Sequence, residues 1–234
     1  MSDKRELVIA GDKVGKASEW KTTTGVAVVG DDVVALQSGL LAKYQDRISV
    51  IPLNGTYDPR PGDQVVGIVH EANPGNWIID IRGSTMAPMH VSEAPWRVDF
   101  GETTAYLKPG DAILCKILFV DDQKKVQCTL KDRNLAKLEG GELMEVAPVK
   151  VARIIGKNGS MLNLLKEYVE CWMFVGQNGR IWLNGTPQDV LIAKQAINII
   201  ANEAHLPGLT DRVRAVLEEK KPGGVDADLD LEEE

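Results

Sequence analysis

The chain has 234 residues, 44% apolar and 26% charged, with a formal net charge of −7, the profile of an ordinary soluble protein with room for one to three domains. Its apolar runs fall far short of the ~18 residues of a membrane span, and Met1 to Glu6 lack the apolar stretch of a secretory signal, so a cytoplasmic protein with no membrane partner is expected. Cys115, Cys128 and Cys171 are odd in number and include no Cys-x-x-Cys pair, which excludes a zinc ribbon and makes buried free thiols the expectation.

Short β-prone runs at residues 7–10, 26–29, 33–36 and 47–51, separated by Gly and Asp turns, predict an N-terminal β unit over residues 1–61. It carries no catalytic constellation. A small β unit with few aromatics builds little core of its own, so docking on a partner is its expected role.

Residues 62–138 show the alternating strands and regular turns of a small barrel. Strands are predicted at 64–70, 77–81, 84–90 (broken by Pro88), 112–120 and 125–130. The longest connection, through Trp96 and Phe100, lies between the third and fourth. That order fits an OB-fold barrel, whose open face cradles single-stranded nucleic acid. Trp77 alternates with Ile79 and Ile81, so it is either core or an aromatic platform for bases. Arg82, His90, Arg97, Lys108 and Lys116 are candidate phosphate contacts, each of them equally readable as a solvated side chain.

The densest signal lies in residues 139–206. Ile154-Ile155-Gly156-Lys157-Asn158-Gly159 is followed by Met161, Leu162, Leu164 and Leu165 at helical spacing. A Gly-x-x-Gly loop between two short helices is the backbone clamp of a KH domain, which grips about four nucleotides of a single strand. The glycines let the main chain approach the sugar-phosphate. The helix opening near Ser160 aims its unpaired N–H groups at phosphate, and Arg153, Lys157 and Asn158 complete the candidate RNA contacts. Downstream, residues 171–175 and 180–183 flank Gly176-Gln177-Asn178-Gly179, where Asn-Gly predicts a tight hairpin. Thr186-Pro187 then opens a helix with an N-cap and a first-turn proline. With a strand near 142–146 and a helix at 149–155, the order is β-α-α-β-β-α, that of a type I KH domain.

Residues 206–234 hold nine acidic and four basic side chains, so much of the net charge belongs to this end. Residues 207–234 read as a helix followed by a disordered acidic tail, whose plain role is solubility. The fold class expected is multidomain and mainly β with a C-terminal α+β domain. Its parts are an N-terminal β unit, an OB barrel and a type I KH domain.

The barrel resembles the S1 RNA-binding domain through Gly62-Asp63-x-Val65-x-Gly67-x-Val69, Gly75 to Asp80, Val91-Ser92-Glu93-Ala94 and Leu107-Lys108-Pro109-Gly110-Asp111. It departs at Pro74, where many S1 domains carry an aromatic. With Tyr57-x-Pro59-x-Pro61-Gly62-Asp63 and the Gly176 to Trp182 segment, the whole order resembles the S1/KH RNA-binding cap subunits of archaeal exosomes. That resemblance implies a non-catalytic protein that binds single-stranded RNA, without cofactor or metal. Three copies would cap a hexameric ring of phosphorolytic ribonuclease subunits. It also implies that Gly176, Asn178 and Gly179 seat the KH domain on its neighbours and do not touch RNA. The alternative is a freestanding S1/KH RNA-binding protein of transcription or translation. An enzyme is not expected, because His70, His90 and His205 are scattered and no P-loop or metal-ligand cluster occurs.

Overall fold

The structure, a computed structural model, describes residues 6–52, 55–121, 123–203 and 208–220. The acidic tail expected beyond residue 220 lies outside them. The chain divides into two compact units, Met1–Gly55 and Thr56–Glu234.

The first unit is all β. Its strands are β1 (Leu7–Val8), β2 (Lys13–Lys16), β3 (Lys21–Thr22), β4 (Val26–Val29), β5 (Asp32–Ala35), β6 (Gly39–Tyr44) and β7 (Arg47–Pro52). They form one sheet in the order β1-β6-β7-β3 and a second in the order β2-β5-β4. Alternation along β5 and β7 sends Val33, Ala35, Ile48 and Val50 inward, where they meet Val8, Val14, Val26 and Leu41. Residues 39–44, which the sequence reading leaves unassigned, pair along their whole length with β7.

The second unit opens with a barrel of β8 (Gln64–Asn73), β9 (Asn76–Asp80), β10 (Ala87–His90), β11 (Ala112–Val120), β12 (Val126–Thr129) and β13 (Ala136–Leu138), with a short helix α1 (Thr103–Tyr106) in the long connection. The sheet runs β10-β9-β8-β11-β12, with β13 on β11. Cys128 Sγ lies 3.8 Å from the Ala87 carbonyl, so the two outer strands approach closure. The OB-type barrel expected is therefore present. Tyr57 belongs to its core and donates a 2.6 Å hydrogen bond to Asp63, so the chain joins the barrel a few residues before Gly62. All three cysteines are free and buried.

The rest is the KH module: β14 (Glu142–Glu145), α2 (Val151–Ile155), α3 (Ser160–Tyr168), β15 (Cys171–Val175), β16 (Arg180–Gly185), α4 (Pro187–Glu203) and α5 (Leu209–Lys220). The sheet order is β14-β16-β15, antiparallel throughout. Ile181 and Leu183 face the helices and pack with Ile154, Leu165, Ala193, Ile197 and Ile200. Thr186 Oγ1 accepts the Asp189 backbone N–H at 3.1 Å and starts α4 as its cap. Helix α5 completes this core, because Val213 and Leu217 are fully buried in it. No helix among the described residues is long and apolar enough to cross a membrane.

Candidate nucleic-acid interface

Helix α2 stops at Ile155 because Gly156 turns to φ +76°, ψ 175° while its N–H still bonds the Ala152 carbonyl at 3.0 Å. Asn158 (φ +53°) and Gly159 (φ +81°) then carry the chain into α3 through left-handed conformations, which Asn and Gly tolerate best. Ile154 behind the loop and Met161, Leu164 and Leu165 beyond it are buried, so the core clamps both helices. Lys157 and Asn158 are left exposed at the tip, with Arg153 exposed on the last turn of α2. Arg153 and Lys157 form no ion pair among the described residues. The first N–H groups of α3 lack carbonyl partners within the helix and carry its positive dipole end. The Gly159 and Ser160 N–H groups bond the Gly156 and Lys157 carbonyls. What the loop presents on one small surface is therefore exposed cations, the positive end of the α3 dipole and glycine main chain, the physical requirement for gripping a phosphodiester strand.

The two glycines are constrained differently. A Cβ on Gly156 would lie 2.7 Å from Met161 N and 2.9 Å from Ser160 Oγ. One on Gly159 would meet only Asn163 Nδ2, at 3.9 Å. Gly156 is therefore needed by the fold as well as by any ligand.

The barrel candidates scatter. Trp77 is a correction: it is fully buried, and its Nε1–H donates to the Thr103 and Leu107 carbonyls, each at 3.2 Å. With no free ring face it cannot stack a base; period-two alternation placed it in the core. Lys116 is held 2.7 Å from Asp132. His90 is exposed, its Nδ1 accepting the Ser92 N–H at 3.1 Å. Arg97 projects into solvent, with only a 3.9 Å contact to Asp99. Arg82 is tied to the KH module, its Nη1 donating to the Val146 carbonyl at 2.5 Å.

Arg82 belongs to a seam between barrel and KH module built around the 176–179 turn. Gly176 N–H bonds Arg180 O at 2.9 Å and Gly179 N–H bonds Gly176 O at 3.0 Å, with Gly179 at φ +79°. This is the tight hairpin expected, built as a three-residue loop with a left-handed glycine, one residue more than the commonest two-residue turn. The extra residue turns Asn178 inward. It is fully buried, and its Nδ2 donates to the Val66 and Ile81 carbonyls at 2.8 and 2.9 Å. A Cβ on Gly179 would lie 2.3 Å from the Val146 carbonyl, and one on Gly176 would lie 2.9 Å from Val66 N.

Arg180 is the seam residue that the sequence reading missed. Only 5% exposed, it donates to the Asp80 carbonyl and to Asp80 Oδ2, both at 2.6 Å, and to Glu145 Oε1 at 2.9 Å. Burial alone would raise the Asp80 carboxyl pKa. The Arg180 bond, the Arg82 backbone N–H and the Arg180 charge outweigh that and hold it below its ordinary value. The available signal was an arginine entering a strand whose neighbours Ile181, Trp182 and Leu183 are all apolar.

A KH domain family model matches residues 141–189. The chain is 40% identical over 217 residues to exosome complex component Rrp4 of Methanosarcina barkeri, spanning 93% of this chain and 83% of that one. It is 37% identical over 219 residues to Rrp4 of Picrophilus torridus (94% and 95% of the two chains) and 40% over 223 residues to Rrp4 of Pyrobaculum aerophilum (93% and 94%). A crystal structure described as that of an exosome complex RNA-binding protein superposes with a TM-score of 0.65 at 34% identity, covering 71% of this chain and 97% of that one. With identity of this order running the length of both partners, the chain belongs to the Rrp4 family of exosome complex components.

Proposed function

We propose that this protein is the RNA-binding cap subunit of an archaeal exosome. It holds single-stranded RNA and passes it to a phosphorolytic 3′–5′ exoribonuclease ring of six subunits, three copies forming the cap. The observation that carries the reading is the Gly156–Gly159 loop: glycine main chain, two exposed cations with no ion pair among the described residues and a helix N-terminus, in a chain of the Rrp4 family. In this reading Gly156, Lys157, Asn158, Gly159 and Arg153 grip the strand, and His90 and Arg97 of the barrel add contacts. Gly176, Asn178 and Gly179 hold the modules together. The N-terminal unit supplies the docking surface, and the cap has no chemistry or cofactor of its own.

The test is reconstitution. The purified protein should bind a single-stranded RNA, leave it intact in phosphate and magnesium, co-elute with the ribonuclease ring and stimulate RNA decay by that ring. RNA binding without any affinity for the ring would point to the freestanding alternative, and decay by the isolated chain would overturn the non-catalytic assignment.

A further inference from the structure

Phe100 is 86% exposed, the most exposed large apolar side chain among the described residues. Its loop, the long connection of the barrel, is nevertheless well anchored. Gly101 N–H bonds the Pro74 carbonyl and Thr103 Oγ1 bonds the Asn73 carbonyl, both at 2.9 Å. Trp96 and Tyr106 stack with centroids 5.6 Å apart, and Tyr106 OH bonds the Arg97 carbonyl at 2.9 Å. The buried Trp77 indole fastens α1 from below. These ties seat Phe100 over the β8–β9 turn, where a Cβ on Gly75 would lie 3.9 Å from Phe100 Cε2. A loop pinned this firmly holds an apolar ring in water, at a cost in transfer free energy. His90 flanks the same turn, pairing with Asn76 across β9 and β10 with its side chain exposed.

We propose that Phe100 is the base-stacking platform of the barrel: a nucleobase of single-stranded RNA lies on its ring, with His90 at the edge. The platform rests on the RNA-binding reading above. The turn has proline at position 74 and no aromatic of its own, and the long connection delivers a ring to the same place from another part of the chain. The chemistry of the surroundings selects a base. The loop neighbours Arg97, Asp99 and Glu102 are exposed and of mixed sign, which suits neither a phosphate clamp nor the broad apolar patch of a protein interface. The nearby Trp96 is already stacked on Tyr106 and much less exposed, so Phe100 offers the open ring face. That face fits one flat, uncharged partner, and stacking of this kind tolerates any base sequence.

The experiment compares wild-type full-length protein with Phe100→Ala and Phe100→Trp. Two probes are used, a labelled oligoadenylate and the same ribose-phosphate backbone without bases. Phe100→Ala is expected to weaken oligoadenylate binding by roughly five- to a hundredfold. It should leave the abasic backbone and the salt dependence of binding unchanged, while Phe100→Trp retains affinity. Circular dichroism checks the fold, which an 86% exposed ring should not disturb. Unchanged oligoadenylate affinity in Phe100→Ala, an equal loss on both probes, or a changed oligomeric state instead of changed RNA binding would each overturn the platform alone. Failure of the wild-type protein to bind either probe would overturn the RNA-binding reading, and the platform with it.

Discussion

The side-chain amide of Asn178, on a KH hairpin loop, donates a 2.8 Å hydrogen bond to the backbone carbonyl of Val66 in the first long strand of the barrel. Its second N–H reaches Ile81 at 2.9 Å, and the side chain is fully buried. Two buried carbonyls thus depend on one residue, and leaving such groups unpaired costs about 1–3 kcal/mol each. Asn178→Ala should destabilise the second unit by about 2 kcal/mol, measured by chemical denaturation with probes in both modules. If the barrel and KH signals stay coincident and the midpoint does not move, the seam is not what couples them.

Arg180 and Asp80 make the seam sensitive to acid. The Asp80 pKa in the folded protein is depressed below 3.8, so its contribution to stability is fully present above that value. It is lost as pH falls through the folded pKa. The difference in melting temperature between wild type and Asp80→Asn should therefore be constant from neutral pH down to mildly acidic conditions and shrink once the pH passes below about 3.8. Arg180→Ala removes the shared partner of two carboxylates and should cost roughly 3 kcal/mol, on the low side because Asp80 and Glu145 keep access to water.

The loop geometry dictates which substitutions test the clamp. Changing Gly156 would collide with Met161 and damage the fold. Lys157 and Asn158 are exposed, and the left-handed Asn158 position accepts Asp. Lys157→Asp with Asn158→Asp should leave the melting temperature within about a degree, since exposed substitutions are usually near neutral. RNA affinity should fall by about tenfold at low ionic strength, with the gap narrowing as salt is added. Gel-shift titrations at several salt concentrations would measure it; an unaltered affinity would place RNA binding on the barrel.

The proposed docking role of the first unit can be challenged on β4, an edge strand of the β2-β5-β4 sheet. Val28 and Val29 are 51% and 62% exposed there, and Leu7, Ile9 and Leu36 are also uncovered. Exposed apolar edges invite pairing with another chain unless charge blunts them. Val28→Lys with Val29→Lys should abolish co-elution with the ribonuclease ring while RNA binding by the variant persists. Removing residues 1–55, where the first unit ends, should do the same and leave the second unit folded. A ring complex that survives both changes would locate docking elsewhere.

Local chemistry was readable where a residue type has few alternatives. The Gly156–Gly159 loop, the Thr186-Pro187 helix start and the strands β8, β9 and β11 all rest on near-neighbour rules, and each appears where the sequence indicates. Of the three strands only β9 alternates strictly, β8 and β11 burying three residues in a row. Long-range choices were not readable. Trp77 satisfied both a core and a platform pattern, and only the closing of α1 over its indole decides between them. Strands β6 and β13 carry lysines and short apolar runs whose pairing is imposed by partners distant in sequence. Arg180 looks like a surface cation until the barrel brings Asp80 against it. The exposure of Phe100 depends on which turn the long loop lies across, information spread over Asn73, Pro74, Gly101 and Thr103.

The bonds from Asn178, Arg180 and Arg82 tie barrel and KH module into one compact unit. If the proposed KH loop and barrel platform both grip RNA, two such points on one body act as a caliper. A strand held at both must bridge one fixed distance, which sets a minimum number of nucleotides whatever its sequence. Having bound at one point, it meets the second without the entropy loss of ordering a linker. In that reading the shortest RNA that reaches both points is a property of the protein, set by one buried amide and two arginines.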